Sequence, residues 1–161
     1  MKWIYPGVEW QYGGTDKVLY FTFDDGPVPD VTPAVLEILE TYNAKATFFS
    51  IGDNVRKHPD VYQQVLRAGH RTGNHSFRHY NAWKVPAADY LCDVEEAAKY
   101  IDATLFRPPY GKLTWRVLFP LRKKYRIIMW DVISCDFDDR VSADQVYLNV
   151  VNYAGPGSVV V

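Results

Sequence analysis

Short runs of β-branched and aromatic residues recur along this chain roughly every 25–30 residues, with segments of helical periodicity between them. That alternation restricts the fold more than any other feature, because a strand–helix–strand rhythm is the signature of a parallel sheet or barrel. Val18–Phe23 reads as the first strand, with Val18-Leu19-Tyr20-Phe21 as a buried run. Thr32-Pro33 reads as an N-cap followed by proline at the first helical position, ahead of Val35, Leu36, Leu39 and Tyr42 at helical spacing. Ala46–Ile51, ending at Gly52, is a second strand. Pro59 opens a helix with Val61, Tyr62, Val65 and Leu66 inward and Gly69 as its cap.

The rhythm continues to the last residue. His70–Asn74 is a short third strand leading into His75. A helix from near Pro86 carries Ala87, Tyr90, Leu91, Val94, Ala97, Ala98 and Ile101. Thr104–Phe106 is a brief fourth strand, and the helix expected over Thr114–Lys124 contains Pro120, which predicts a kink or a late start. Ile127–Trp130 is the fifth strand. Ser142-Ala143-Asp144-Gln145 has the form of a capping box, Gly155-Pro156 closes its helix, and Ser158–Val161 begins a sixth strand. The first dozen residues, with Trp3, Tyr5 and Trp10 around Pro6-Gly7, read as an arm packed on the domain.

Parallel connections of this kind are right-handed and gather their sites at the carboxyl ends of the strands. Six strands fall short of the eight of a complete (β/α) barrel, so an incomplete barrel and an open doubly wound sheet both satisfy the pattern. At 161 residues one domain is expected, spanning 1–161. A formal net charge of −1 gives no reason to expect nucleic acid or an anionic membrane surface as partner. No run is long enough to span a bilayer, and Met1–Gly7 does not have the character of a signal peptide. Cys92 and Cys135 are too few for a disulfide framework and read as two free, buried thiols.

The noteworthy polar residues all follow strands. Asp24-Asp25-Gly26-Pro27 ends the first. An isolated Asp-Gly turn is commonly solvated, but here an apolar strand feeds straight into two adjacent carboxylates, which need a cation or a shared proton. His75 and His79 lie four apart, a spacing that on one helical turn would point both imidazoles at a common ion. The zinc-peptidase version of that motif needs Glu directly after the first His, and Ser76 stands there instead. The Asp pair supplies both a base and a third ligand, giving a two-histidine, one-carboxylate set with room for water. Arg107 before Pro108-Pro109 is placed to hold a carboxylate ionised. His58 and His70 read as structural, and Asp131, Asp138 and Asp139 as solvated.

Taken together, Thr22-Phe23-Asp24-Asp25-Gly26-Pro27, His75-Ser76-Phe77-Arg78-His79 and Arg107-Pro108-Pro109-Tyr110-Gly111 resemble the motifs of the polysaccharide deacetylases with a NodB-like domain, carbohydrate esterase family 4. The resemblance implies a distorted, incomplete (β/α) barrel and a hydrolase that removes acetyl groups from an N-acetylated glycan such as peptidoglycan or chitooligosaccharide. It implies Asp24 as general base, Asp25, His75 and His79 as ligands of one divalent ion, usually zinc with cobalt, nickel or iron(II) as alternatives, and Arg107 as the residue positioning Asp24. Tyr110 matches the family's backbone oxyanion donor, Pro109 and Tyr110 part of its substrate groove, and Asp136 the acid that tunes a histidine in a later motif. Two departures are visible. Phe137 follows Asp136 where the family usually has Trp, and the histidine of the fifth motif would stand just past Val161, so the polypeptide is expected to continue. Acetyl-ester hydrolysis on xylan-type chains, or glycan binding without catalysis if that histidine is absent, are the alternatives.

Overall fold

A computed structural model describes residues 5–14 and 17–161. In chain order the elements are β1 (Val8–Glu9), β2 (Tyr20–Asp24), α1 (Val31–Thr41), β3 (Thr47–Ser50), α2 (Gly52–Lys57), α3 (Pro59–Arg67), β4 (Arg71–Asn74), α4 (Ala87–Ala97), β5 (Leu105–Phe106), α5 (Trp115–Leu121), β6 (Arg126–Ile128), α6 (Ala143–Val151) and β7 (Val159–Val160). The strands form one sheet in the order β1-β6-β5-β4-β3-β2-β7, parallel at every pairing. Val132 bridges Val160 and Gln11 bridges Ser158, so β7 meets the segments that follow β6 and β1. Amides and carbonyls of Val132, Val159 and Val161 make the bonds (Val132 N to Val159 O 3.2 Å, Val161 N to Val132 O 3.0 Å). The sheet curls back on itself with fewer than eight strands, and the incomplete barrel replaces the open-sheet alternative.

Phe49, Ile128 and Val159 meet inside the curl. Outside it, α4 and α5 pack Tyr90, Val94, Val117, Leu118 and Leu121 on Phe106 and Ile127, each fully or almost fully buried. Each such side chain contributes about 1.5–3 kcal/mol through burial. Gly73 of β4 exists for this packing: a Cβ there would stand 2.3 Å from Phe49 Cδ1.

Several expectations change. The N-terminal segment is part of the sheet, because Val8 and Glu9 pair with Ile127 and Ile128; its Trp3 lies outside the described residues. Val18, Leu19, Tyr20 and Phe21 are exposed rather than buried, and the strand itself starts only at Tyr20. Helix α1 starts two residues early, at Val31 with Asp30 as its N-cap, and Thr32 works from inside the first turn, its Oγ1 accepting from Val28 N (2.9 Å). Helix α2 was not expected; six residues are too few to show a period. Leu66 and Tyr42 face solvent. Pro120 lies inside α5, one residue before its end, and the helix stops at Leu121 instead of reaching Lys124. The capping box is half made: Ser142 Oγ accepts from Gln145 N (3.2 Å), but the Gln145 amide turns to Asn149. Cys92 is exposed and Cys135 half-buried, both free. Asp131 is not simply solvated: it accepts from Val159 N (2.7 Å) and Ser158 Oγ (3.0 Å), fastening the loop to β7. Asp138 pairs with Arg140. His70 has the structural role expected, accepting from Ala46 N (3.2 Å).

Candidate metal centre and active site

The polar residues that follow the strands converge at the carboxyl ends of β2, β4 and β5, as the strand rhythm requires. β2 ends in Asp24, and Asp25 turns away from it with a left-handed backbone (φ +69°). That turn sends consecutive carboxylates in different directions. Asn54 of α2 holds it by donating to the Asp25 carbonyl (2.7 Å), and Ile51 N donates to Gly26 O (2.9 Å).

Arg107 leaves the end of β5 fully buried. Its guanidinium donates to Asp24 Oδ1 (2.7 Å), Thr22 Oγ1 (2.7 Å), Ile128 O (3.2 Å) and Met129 O (2.9 Å). It also stacks on the Phe49 ring at 4.2 Å. Burial pushes the guanidinium pKa down and Asp24 opposes it; an arginine remains charged through such a contest. The planar fork thus fixes one Asp24 oxygen. The other faces His75 Nε2 at 4.0 Å.

His75 and His79 do converge, with ring centroids 5.0 Å apart, but not on a helix. They sit at the two ends of an irregular loop after β4, in which Ser76 (φ +64°) and His79 (φ +57°) are left-handed. His75 Nδ1 lies 2.7 Å from Arg107 O. A carbonyl can only accept, so Nδ1 carries the hydrogen and the Nε2 lone pair faces the site. Asp25 Oδ1 is 3.4 Å from His75 Nε2 and 3.1 Å from His79 Nε2. The ligand atoms of the three residues all lie within 4.8 Å of one another.

Desolvation raises the Asp25 carboxyl, but a hydrogen bond and charge from His75 in its protonated form, with charge from His79, outweigh it and leave the group below its ordinary value. Burial, with charge from His75, lowers His79 more than the two aspartates raise it, favouring the neutral ring that ligation needs. An anionic carboxylate and two imidazole lone pairs aimed at one point are a donor set for a divalent cation, and the residues fit one.

Tyr110 is also left-handed (φ +59°), with its ring 4.5 Å from His79 beside buried Pro109. Asp136 stands apart. It is exposed, accepts from Ser134 Oγ (2.8 Å), and among the described residues no hydrogen bond or ion pair joins it to Asp24, Asp25 or the histidines. Phe137 beside it is exposed too. Sequence reasoning missed two supports. Asn54 gave no signal, being on a helix too short to read. Asp93 did: it is a charged residue between Tyr90, Val94 and Ala97 on the buried face of α4, and its carboxylate accepts from Phe77 N (2.8 Å) and Arg78 N (2.9 Å).

The polysaccharide deacetylase family profile matches residues 11–125, and the chain belongs to that family. A peptidoglycan-N-acetylglucosamine deacetylase of Bacillus cereus is 34% identical over 146 residues, covering 86% of this chain and 53% of the relative. The chain therefore spans about half the length of that relative. A chitooligosaccharide deacetylase of Azorhizobium caulinodans is 33% identical over 150 residues, covering 88% of this chain and 71% of the relative. Among solved structures, a peptidoglycan N-acetylglucosamine deacetylase in complex with an N-hydroxybenzamide superposes with a TM-score of 0.89 at 30% identity, over 96% of this chain and 75% of that one.

Proposed function

We propose that this domain is a metal-dependent hydrolase that removes acetyl groups from an N-acetylated glycan, peptidoglycan or a chitooligosaccharide. Family membership and the names of its relatives support the class of reaction. The observation that carries the mechanism is the division of labour between adjacent carboxylates. Asp25 faces the two imidazoles (3.4 and 3.1 Å), while Asp24 is held by Arg107 (2.7 Å) through one oxygen, the other lying 4.0 Å from His75 Nε2.

The ligands are Asp25, His75 and His79, and zinc suits them. A bound divalent ion supplies positive charge that acidifies water and polarises an acetyl carbonyl. Asp24 takes the proton from the attacking water, and Arg107 keeps that carboxylate anionic and aimed. The backbone N–H of Tyr110 meets the charge that develops on the acetyl oxygen. Pro109 and the Tyr110 ring form a wall for the sugar. Asp136 belongs to the leaving-group side, tuning the acid that protonates the departing amine.

The test is metal analysis paired with acetate release from N-acetylglucosamine oligomers. Asp24→Asn is expected to retain metal at the parent stoichiometry and to lose on the order of 10²–10⁴ in turnover. Full activity in that variant refutes the base assignment, and a parent protein that retains no divalent ion refutes the site.

A further inference from the structure

We infer that Asp93 is a positioning residue: it sets where His75 and His79 stand by gripping the backbone between them. The inference rests on reading Asp25, His75 and His79 as the metal site. The loop from His75 to His79 has no regular hydrogen bonding of its own and must keep Ser76 (φ +64°) and His79 (φ +57°) in a conformation that side-chain-bearing residues avoid. Something outside it has to hold it there.

Three successive amides of the loop each find a side-chain acceptor. Ser76 N donates to Asn74 Oδ1 (2.8 Å), and Phe77 N and Arg78 N both donate to Asp93 Oδ2 (2.8 and 2.9 Å). Two carbonyls are fixed from the other side, Ser76 O by Gly52 N (2.9 Å) and Phe77 O by Asp53 N (3.2 Å). Asp93 is the only charged member of this cradle that is almost fully buried, at 2% exposure. Its second oxygen accepts from Arg78 Nη1 (3.1 Å), but the Arg78 side chain is 56% exposed, so that ion pair is the weaker tie. The buried oxygen faces two backbone amides. It makes Asp93 a lock on the turn that leads directly into His79. Without it those amides stay buried and unpaired, or the loop relaxes and the His79 ring leaves Asp25.

The experiment measures zinc affinity by competition with a chelating dye, with the visible spectrum of the cobalt(II) form as a report on ligand geometry. Asp93→Ala is expected to weaken zinc binding about 10–100-fold and to alter the cobalt spectrum, the usual consequence of removing a residue that orients metal ligands. Asp93→Asn keeps an oxygen for both amides, and Arg78→Ala removes only the ion pair. Both are expected to stay within about threefold of the parent, well below that range. A folded Asp93→Ala protein that binds zinc within about twofold of the parent overturns the inference, as does an Asp93→Asn protein as weak as the alanine variant. Should Asp93→Ala not fold, Asp93→Glu decides. It keeps the charge and the Arg78 pair but shifts the oxygens by one methylene; weakened zinc binding supports the lock and parental binding overturns it. A parent protein that binds no zinc refutes the metal-site reading itself, an outcome distinct from a parent and variants that bind alike.

Discussion

Replacing Arg107 by lysine keeps the positive charge and most of the volume, yet the arrangement around the guanidinium predicts a large loss of stability. Four acceptors surround the planar fork: Asp24 Oδ1, Thr22 Oγ1, Ile128 O and Met129 O. A single ammonium nitrogen cannot meet acceptors spread around three guanidinium nitrogens, so lysine reaching Asp24 and Thr22 abandons the two strand-end carbonyls. Hydrogen bonds from a charged donor are worth about 1.5–3 kcal/mol each. Losing two, with partial recovery by relaxation, gives about 3 kcal/mol of destabilisation. Stacking on Phe49 at 4.2 Å is also lost. In a domain of this size that lowers Tm by roughly 6–12 °C. The assay is urea and thermal unfolding of metal-free protein at pH 7, with Arg126→Lys as a control because the Arg126–Glu9 pair is exposed on the arginine side and worth about 0.2–1 kcal/mol. An Arg107→Lys protein within about 0.5 kcal/mol of the parent would refute the claim that fork geometry, rather than charge alone, holds the strand ends together.

Two further perturbations read other parts of the fold. The Arg126 hydrogen bond lowers the Glu9 pKa more than burial raises it, so the stabilisation this carboxylate provides is present above the ordinary glutamate range and lost as pH falls through it toward the lowered folded value. Glu9→Gln should therefore unfold below the parent temperature at pH 7, with the gap narrowing as pH falls below the ordinary glutamate range, and a gap that does not narrow in acid would contradict the assignment. Gly73→Ala drives a Cβ to 2.3 Å from Phe49 Cδ1, which forces the ring to shift. Overpacking of this kind costs about 1–3 kcal/mol, and an unchanged urea midpoint would show that the Phe49 ring has room to move.

How legible the protein was from sequence varies with the range of the interaction. Phe48 and Phe49 announce a strand because apolar β-formers bounded by Gly52 have few other uses, and Val61, Tyr62 and Val65 announce a helix face for a similar reason. Tyr20 and Phe21 misled on burial, since propensity says what a residue favours and not what covers it. Asp24, Asp25, His75, His79 and Arg107 were legible as chemistry because each follows a strand, and parallel strands share one functional end. Asp136 was legible only as a motif position, and among the described residues no hydrogen bond or ion pair joins it to the cluster.

The sequence alone thus determined the parallel βα alternation and the end of the sheet where polar groups collect. Those follow from local periodicity and from strands that all point one way. Only the tertiary structure decided that β7 curls round to the segment after β6, that Arg107 is a buried four-way tie, and that Asn54 and Asp93 hold the two ligand loops in left-handed turns. The reason is that a hydrogen bond across the fold depends on where two distant segments arrive, and spacing along the chain carries no record of that.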